Sequence, residues 1–149
     1  MTVRRVYLDT EFLPADPTNR GLVSIGLTDD RGRSYYAVNR DMDTDAVLAV
    51  PWMVNNVWRF LPRMNHPRRG HPSVLDLAHQ DVKPLETIRG DVTRYFADTD
   101  ASEARLYAYD AGNPRLPEQP AGAHHALADA EHNRRIHEHL MTLGRERAA

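Results

Sequence analysis

The chain has 149 residues, of which 41% are hydrophobic and 27% are charged, and its formal net charge is -2. These values are typical of an ordinary soluble globular protein, and a chain of this length buries enough surface for one domain over residues 1–149. The absence of cysteine excludes disulfide scaffolds, thiol catalysis and cysteine zinc sites. No apolar run has the length of a membrane span or the form of a signal peptide, so we expect a cytoplasmic protein with no membrane partner.

The first forty residues are strand-like. Val3 to Phe12 is rich in β-branched and aromatic residues, and Leu22 to Leu27 and Ser34 to Val38 continue this pattern, with Gly32 in the turn between them. This order predicts a sheet that begins with a hairpin.

Helical patterns dominate the remainder of the chain. Asp43 or Thr44 is suited to cap a short helix, and Pro51 fits the first turn of a helix through Trp58. The other predicted elements are a helix over Pro84 to Phe96 with one apolar core-facing side, a strand over Arg105 to Asp110 and a helix over His124 to Leu140. Two proline-rich segments are predicted to be loops: Pro62 to Ser73 and Gly112 to Pro120. The alternation of strands and helices predicts an α/β domain.

Two carboxylates lie near the end of the first predicted strand. Asp9 and Glu11 are two positions apart, so their side chains project from the same face of a strand. Paired carboxylates repel each other, and away from solvent they need a shared proton or a divalent cation. A solvated surface is the alternative, but apolar neighbours favour burial: Val6, Tyr7, Leu8 and Phe12.

A second candidate cluster is the sequence from His124 to Asp129. Five positions on a helix separate two side chains by about 140°, so these two converge only if His124 precedes the helix. His125 is the competing partner, since it lies four positions before Asp129. An exposed helix start is the third reading. His132, His137 and His139 follow in no zinc-hydrolase pattern, and the chain contains no phosphate loop, dinucleotide fingerprint or nucleophile elbow.

Together these motifs resemble those of a known nuclease superfamily. An acidic pair lies at the end of the first strand, Ala108, Tyr109 and Asp110 lie late in a central strand, and His124 and Asp129 open a late helix. This combination resembles the DEDDh exonucleases of the ribonuclease H-like fold. It is most similar to the small bacterial polyadenylate-specific 3′-exoribonuclease-like family, in the segments Tyr7 to Phe12, Ser24 to Gly26 and Tyr35 to Val38.

The resemblance implies a ribonuclease H-like mixed sheet flanked by helices and a two-metal 3′-5′ exoribonuclease. The expected substrate is RNA with a single-stranded 3′ end or a 3′ overhang, and the expected products are nucleoside 5′-monophosphates. His124 would be the general base, and two Mg²⁺ or Mn²⁺ ions would be held by four carboxylates. Those expected metal ligands are Asp9, Glu11, Asp110 and Asp129, and the candidate substrate contacts are Thr10, Phe12 and Leu13.

Two further features bear on RNA binding. A basic loop either follows a phosphate backbone or is merely solvated; it contains Arg63, His66, Arg68, Arg69 and His71. Trp52 and Trp58 stand at helical spacing, and we expect both to be packing residues rather than platforms for bases.

The chain departs from the family pattern in one place. Only 13 residues lie between Asp110 and His124, where the family usually has a largely helical segment. The fold is therefore expected to be shortened there, which exposes an apolar sheet face that a homodimer could cover. The alternative functions are a catalytically impaired relative that binds RNA or a protein partner without hydrolysis, and a metal-free structural module.

Overall fold

The computed structural model describes residues 3–13, 21–97, 103–108, 117, 119 and 122–146. Within these residues the chain forms a sheet, a short two-stranded ladder and four helices. The elements are β1 (Val3–Phe12), β2 (Leu22–Asp29), β3 (Ser34–Asn39), α1 (Thr44–Leu48), α2 (Pro51–Asn56), a 3₁₀ turn (Trp58–Phe60), β4 (Arg63–Met64), β5 (Val74–Leu75), β6 (Val82–Lys83), α3 (Leu85–Ala97), β7 (Glu103–Tyr107) and α4 (Ala126–Glu146).

The main sheet is mixed and has the strand order β6-β3-β2-β1-β7. Strands β1, β2 and β3 pair antiparallel, whereas β7 pairs parallel with β1 and β6 pairs parallel with β3. Helix α4 covers one face, and α3 contacts the other through side chains of β1 and β3. This confirms the predicted mixed α/β sheet flanked by helices, and it is consistent with a ribonuclease H-like fold.

The predicted hairpin is present, with strand β2 two residues longer than expected. Asp29 organises its turn, because one carboxylate oxygen accepts hydrogen bonds from the backbone N–H groups of Arg31 and Arg33, each at 2.9 Å. Gly32 has a φ of 82°, which a residue with a side chain rarely adopts. The other carboxylate oxygen pairs at 2.8 Å with the Nε of Arg4, whose side chain is fully buried.

Helix α3 is held against the sheet largely by polar contacts. Arg4 donates a hydrogen bond to the backbone carbonyl of Tyr95 at 2.6 Å, and its guanidinium lies 4.4 Å from the centre of the Tyr95 ring. The hydroxyl of Tyr35 donates to Asp91 at 3.1 Å. Of the apolar residues predicted to face the core, Ile88 is buried and the others are only partly buried: Leu85, Val92, Tyr95 and Phe96.

The two short helices begin where the sequence predicts. Asp43 caps α1 by accepting a hydrogen bond from the backbone N–H of Ala46 at 2.9 Å. Pro51 begins α2, which ends at Asn56 rather than at Trp58, because Trp58 opens the 3₁₀ turn. The main hydrophobic cluster lies between these elements and the sheet; it consists of Leu13, Val23, Val38, Met42, Val47, Met53, Val57, Trp58, Leu61, Leu75 and Val82.

Other boundaries correct the sequence predictions. The predicted loop from Pro62 to Ser73 contains strand β4, because Arg63 and Met64 pair with β5. Strand β7 begins two residues earlier than predicted, and Asp110 lies outside the described residues. Most of the predicted loop from Gly112 to Pro120 also lies outside them. Helix α4 begins two residues later than predicted and continues six residues beyond Leu140. In the described part of the chain, no helix has the length and apolar character needed to cross a membrane.

Candidate active site

Strand β1 supplies two carboxylates to the sheet face that α4 covers. Asp9 is paired with Gly26 of β2, and Glu11 is paired with Ser24. Residues directly opposite in an antiparallel pair share a face, so both carboxylates have small neighbours on β2. Glu11 is only 8% exposed.

Helix α4 begins directly above these small residues. A side-chain carbon added to Gly26 would lie 2.3 Å from the backbone of Ala126, so only glycine permits this close approach. About two turns into the helix, buried Asn133 donates a hydrogen bond to the carbonyl of Leu8 at 3.0 Å. This carbonyl lies just beyond Tyr7, the last β1 residue paired with β7. The two contacts fix the start of α4 over the end of β1.

His124 lies in the loop before α4, which is the geometry required for it to meet Asp129. Its φ is 66°, and nearby Gly122 has a φ of 79°. The backbone N–H of His124 donates to one carboxylate oxygen of Asp129 at 2.9 Å, and Gln119 donates to the other at 2.6 Å. Asp129 is therefore fixed by the loop that carries His124.

These elements bring three potential ligands together. One ligand atom each from Glu11, His124 and Asp129 lie within 4.8 Å of one another. Asp9 adds a further negative charge beside them. Burial, reinforced by repulsion from Asp129, raises the pKa of Asp9 to about 7. Burial, together with repulsion from Asp9 and Asp129, raises the pKa of Glu11 to about 8.

We call Asp9, Glu11 and Asp129, together with His124, the acidic cluster. Its electrostatics suit a divalent cation. Buried carboxylates without a positive partner retain protons, and among the described residues no arginine or lysine forms an ion pair with Asp9, Glu11 or Asp129. Carboxylate oxygens are the donors that suit Mg²⁺ and Mn²⁺. A bound cation would replace the protons and offset the repulsion.

His125, the competing histidine, has a different position. Its ring stacks on the ring of Tyr36 with 4.4 Å between the centroids and 23° between the planes. It is not a member of the acidic cluster. Burial raises the pKa of the Tyr36 phenol, which therefore stays neutral. The stack fixes the loop next to His124.

The candidate substrate contacts have different environments. Thr10 projects from the opposite face of β1 and is partly buried. Phe12 is 45% exposed at the end of the strand. Leu13 is 8% exposed and packs in the main hydrophobic cluster, so it offers little surface to a ligand.

Three residues near the cluster were missed by the sequence analysis: Trp52, Gln119 and Asn133. The packing expectation is correct for Trp58, which is 2% exposed, and wrong for Trp52, which is 50% exposed. The Trp52 ring lies edge-on to the ring of His124, with centroids 4.9 Å apart. A signal was present in the sequence, because Met53 and Val57 are four positions apart and form the buried side of this segment, whereas Trp52 lies beside that side. No local pattern marks Gln119 or Asn133.

The fold and the site define an α/β protein with a carboxylate and histidine cluster at the end of its first strand. Over 156 aligned positions the chain is 29% identical to a 3′-5′ exoribonuclease of Mycobacterium tuberculosis, found in two strains. The alignment covers 85% of this chain and 86% of each relative. No family model matches the chain. This similarity supports a relationship between the chain and an exoribonuclease family, and it indicates that the protein is a nuclease.

The alignment also contains gaps in this chain. It spans 156 positions, which is more than the 149 residues of the chain. The relatives therefore have residues at positions where this chain has none.

Proposed function

We propose that the protein is a divalent-metal-dependent exonuclease that shortens RNA from single-stranded 3′ ends or 3′ overhangs and releases nucleoside 5′-monophosphates. The convergence of Glu11, His124 and Asp129 carries this proposal. The similarity to 3′-5′ exoribonucleases over most of both chains supports it independently.

The proposed cofactors are two Mg²⁺ or Mn²⁺ ions. Asp9, Glu11 and Asp129 would hold them, together with Asp110, which is proposed as the fourth ligand from the family resemblance and lies outside the described residues. When bound, such ions supply positive charge to the scissile phosphate and to the leaving oxygen, and they acidify a water. The acidic cluster alone would repel the phosphate, so activity should require the cation.

His124 is the proposed general base. Its backbone is tied to Asp129, and its ring lies against Trp52, so the position of the imidazole is defined on two sides. An imidazole in this position is suited to accept the proton of an attacking water. The carboxylates in turn stabilise the imidazolium that results.

Phe12 is the favoured substrate contact among the three candidates. Its exposed ring at the end of β1 is close in sequence to Glu11 and is available to stack on a terminal base. Thr10 and Leu13 also stay proposed substrate contacts, although they have less accessible surface.

The cytoplasmic location and the homodimer stay predictions. Leu106 on the edge strand β7 is 54% exposed and is a candidate residue for the homodimer interface.

The test is digestion of a 5′-labelled RNA with a 3′ overhang, in Mn²⁺, in Mg²⁺ and in EDTA. The wild-type chain should give a metal-dependent ladder that shortens from the 3′ end, and Asp9→Ala and Asp129→Ala should abolish it. His124→Gln should slow hydrolysis by about 100-fold to 10,000-fold. His139→Gln is the matched control, because this histidine lies on the same helix outside the acidic cluster.

Absence of a ladder from a folded chain that binds Mn²⁺ would contradict the proposal and favour the impaired relative. Equal loss of activity in His124→Gln and His139→Gln would remove the assignment of His124 as the base.

A further inference from the structure

The charges of the chain are segregated. Residues 46–75 contain four arginines and two histidines but no aspartate or glutamate. The rest of the chain holds all 21 acidic residues and 15 of the 19 basic ones. A chain with a negative net charge therefore has one strongly positive segment.

The arginines of this segment differ from those elsewhere. Arg59, Arg63, Arg68 and Arg69 are all exposed, and none forms an ion pair with any described residue. By contrast, eight arginines outside the segment have a carboxylate within 4.0 Å: Arg4, Arg5, Arg33, Arg40, Arg89, Arg94, Arg105 and Arg134. We call the four exposed arginines the basic patch. Its charge is not compensated within the described part of the chain.

Part of the basic patch is held in a fixed geometry. The hydroxyl oxygen of Ser73 accepts hydrogen bonds from the indole of Trp58 at 3.2 Å and from Arg63 at 2.9 Å. Arg63 also donates to the backbone carbonyl of Arg59 at 3.1 Å. Since Trp58 is buried in the core, this network anchors Arg63 to the body of the protein. An arginine positioned in this way loses less conformational entropy when it binds an anion.

The basic patch is linked to the acidic cluster by helix α2. A cavity of about 540 Å³ lies beside this helix, with Asn55, Arg59 and Arg63 among the residues that line it. On the same helix, exposed Trp52 contacts the ring of His124. Arg59 lies seven positions after Trp52, in the 3₁₀ turn that follows α2, so a distance on the order of 10 Å separates the two residues. A strand of nucleic acid that leaves the acidic cluster along α2 reaches the patch within a few nucleotides.

We propose that the basic patch binds the sugar-phosphate backbone of single-stranded RNA whose 3′ end lies in the acidic cluster. The inference rests on the proposed exonuclease function. Each nucleotide carries one phosphate, and guanidinium groups bind phosphate oxygens in a bidentate manner. The patch provides the attraction that a negatively charged chain with an acidic catalytic cluster otherwise lacks. It should therefore govern the affinity for long RNA rather than the chemical step.

The test is binding of a 5′-fluorescein-labelled single-stranded RNA of about 20 nucleotides, measured by fluorescence anisotropy in EDTA from about 50 to 200 mM salt. Each arginine–phosphate contact adds about 0.7 to the slope of log affinity against log salt concentration. The double variant Arg68→Gln/Arg69→Gln should lose about 1.4 from this slope and about tenfold in affinity. Arg89→Gln is the matched control, because this exposed arginine on α3 already faces Glu86 at 3.5 Å.

A hydrolysis measurement separates this inference from the proposed function. The double variant should cleave a dinucleotide at the wild-type rate, whereas its KM for the long RNA should rise about tenfold. If neither protein hydrolyses RNA, the proposed function fails, and the binding experiment still decides the role of the patch.

Unchanged affinity and unchanged salt slope in the double variant would overturn the inference; this is also the result expected if the patch binds an acidic protein. Arg59→Gln/Arg63→Gln serves as a second variant at the anchored end of the patch. Thermal unfolding of both double variants verifies that the fold is retained.

Discussion

Buried carboxylates lie on both faces of the main sheet, and their electrostatic environments are opposite. Burial raises the pKa of Asp29, but hydrogen bonds from the Arg33 backbone and from the guanidinium groups of Arg33 and Arg4 outweigh it, and the pKa is below its usual value. On the other face, the pKa of Asp9 is about 7 and that of Glu11 is about 8.

The difference lies in the origin of the compensating charge. Asp29 receives its cation from the chain itself, through a buried pair in which neither side chain is exposed. The acidic cluster has no such partner among the described residues, so it must hold protons or acquire an external cation. The first arrangement is suited to stability, and the second is suited to binding a metal.

The largest effect on stability should come from removing the buried cation. Arg4→Met leaves Asp29 with only the partly exposed guanidinium of Arg33, at 3.2 Å, as a cationic partner and removes the contact to Tyr95. We therefore expect a loss of about 3 kcal/mol in urea unfolding, the lower end of the cost of breaking a buried pair. Arg5→Met is the control, because its pair with Asp30 is partly exposed and 3.4 Å long, and it should cost at most about 1 kcal/mol. Equal losses in the two variants would mean that burial does not increase the contribution of the Arg4–Asp29 pair to stability.

A smaller loss should follow from Gly26→Ala on the opposite face. The added carbon would lie 2.3 Å from the backbone of Ala126, so α4 must move away from β2. We expect a loss of about 1–3 kcal/mol together with weaker Mn²⁺ binding, because Asp129 moves with the helix. Gly90→Ala is the control; its nearest new contact is at 3.6 Å in a helix, so it should be stabilising. Wild-type Mn²⁺ affinity in Gly26→Ala would contradict the proposed link.

The last effect is spread over several pH units and concerns the protons of the acidic cluster. Because the folded-state pKa values of Asp9 and Glu11 are raised, their contribution to stability is full below about pH 4 and is lost as the pH rises through about 7 to 8. In EDTA the free energy of unfolding should decline over this window by up to about 1.4 kcal/mol per pH unit for each proton. Asp9→Asn should make the profile flatter. A wild-type profile that rises over the same window would show that the cluster does not retain protons.

The first three strands could be predicted because their signals are local. The β-branched run from Val3 and the glycine in the β2–β3 turn define the hairpin, whereas helical geometry gave only the condition under which His124 meets Asp129, namely that it precedes the helix. Asp43 likewise caps α1 through a neighbouring backbone group. These features depend on residues a few positions apart.

The remaining features depend on contacts between residues distant in the sequence. The pair of Arg4 and Asp29 spans 25 positions, and the hydrogen bond from Asn133 to Leu8 spans 125. Neither has a periodic signature. Trp52 was misassigned because helical spacing identifies the buried stripe of α2 but not the function of a residue beside it. Asp110 stays a prediction that comes from the family resemblance alone.

The acidic cluster needs a cation that the chain itself does not supply. Thermal unfolding in a Mn²⁺ titration at about pH 7.5 tests this claim most directly. The account predicts saturable stabilisation of the wild-type chain, a much weaker effect in Asp9→Asn and in Asp129→Asn, and an unchanged response in Asp30→Asn, where the carboxylate lies outside the cluster. A wild-type chain that Mn²⁺ does not stabilise, or equal stabilisation of all four proteins, would contradict it.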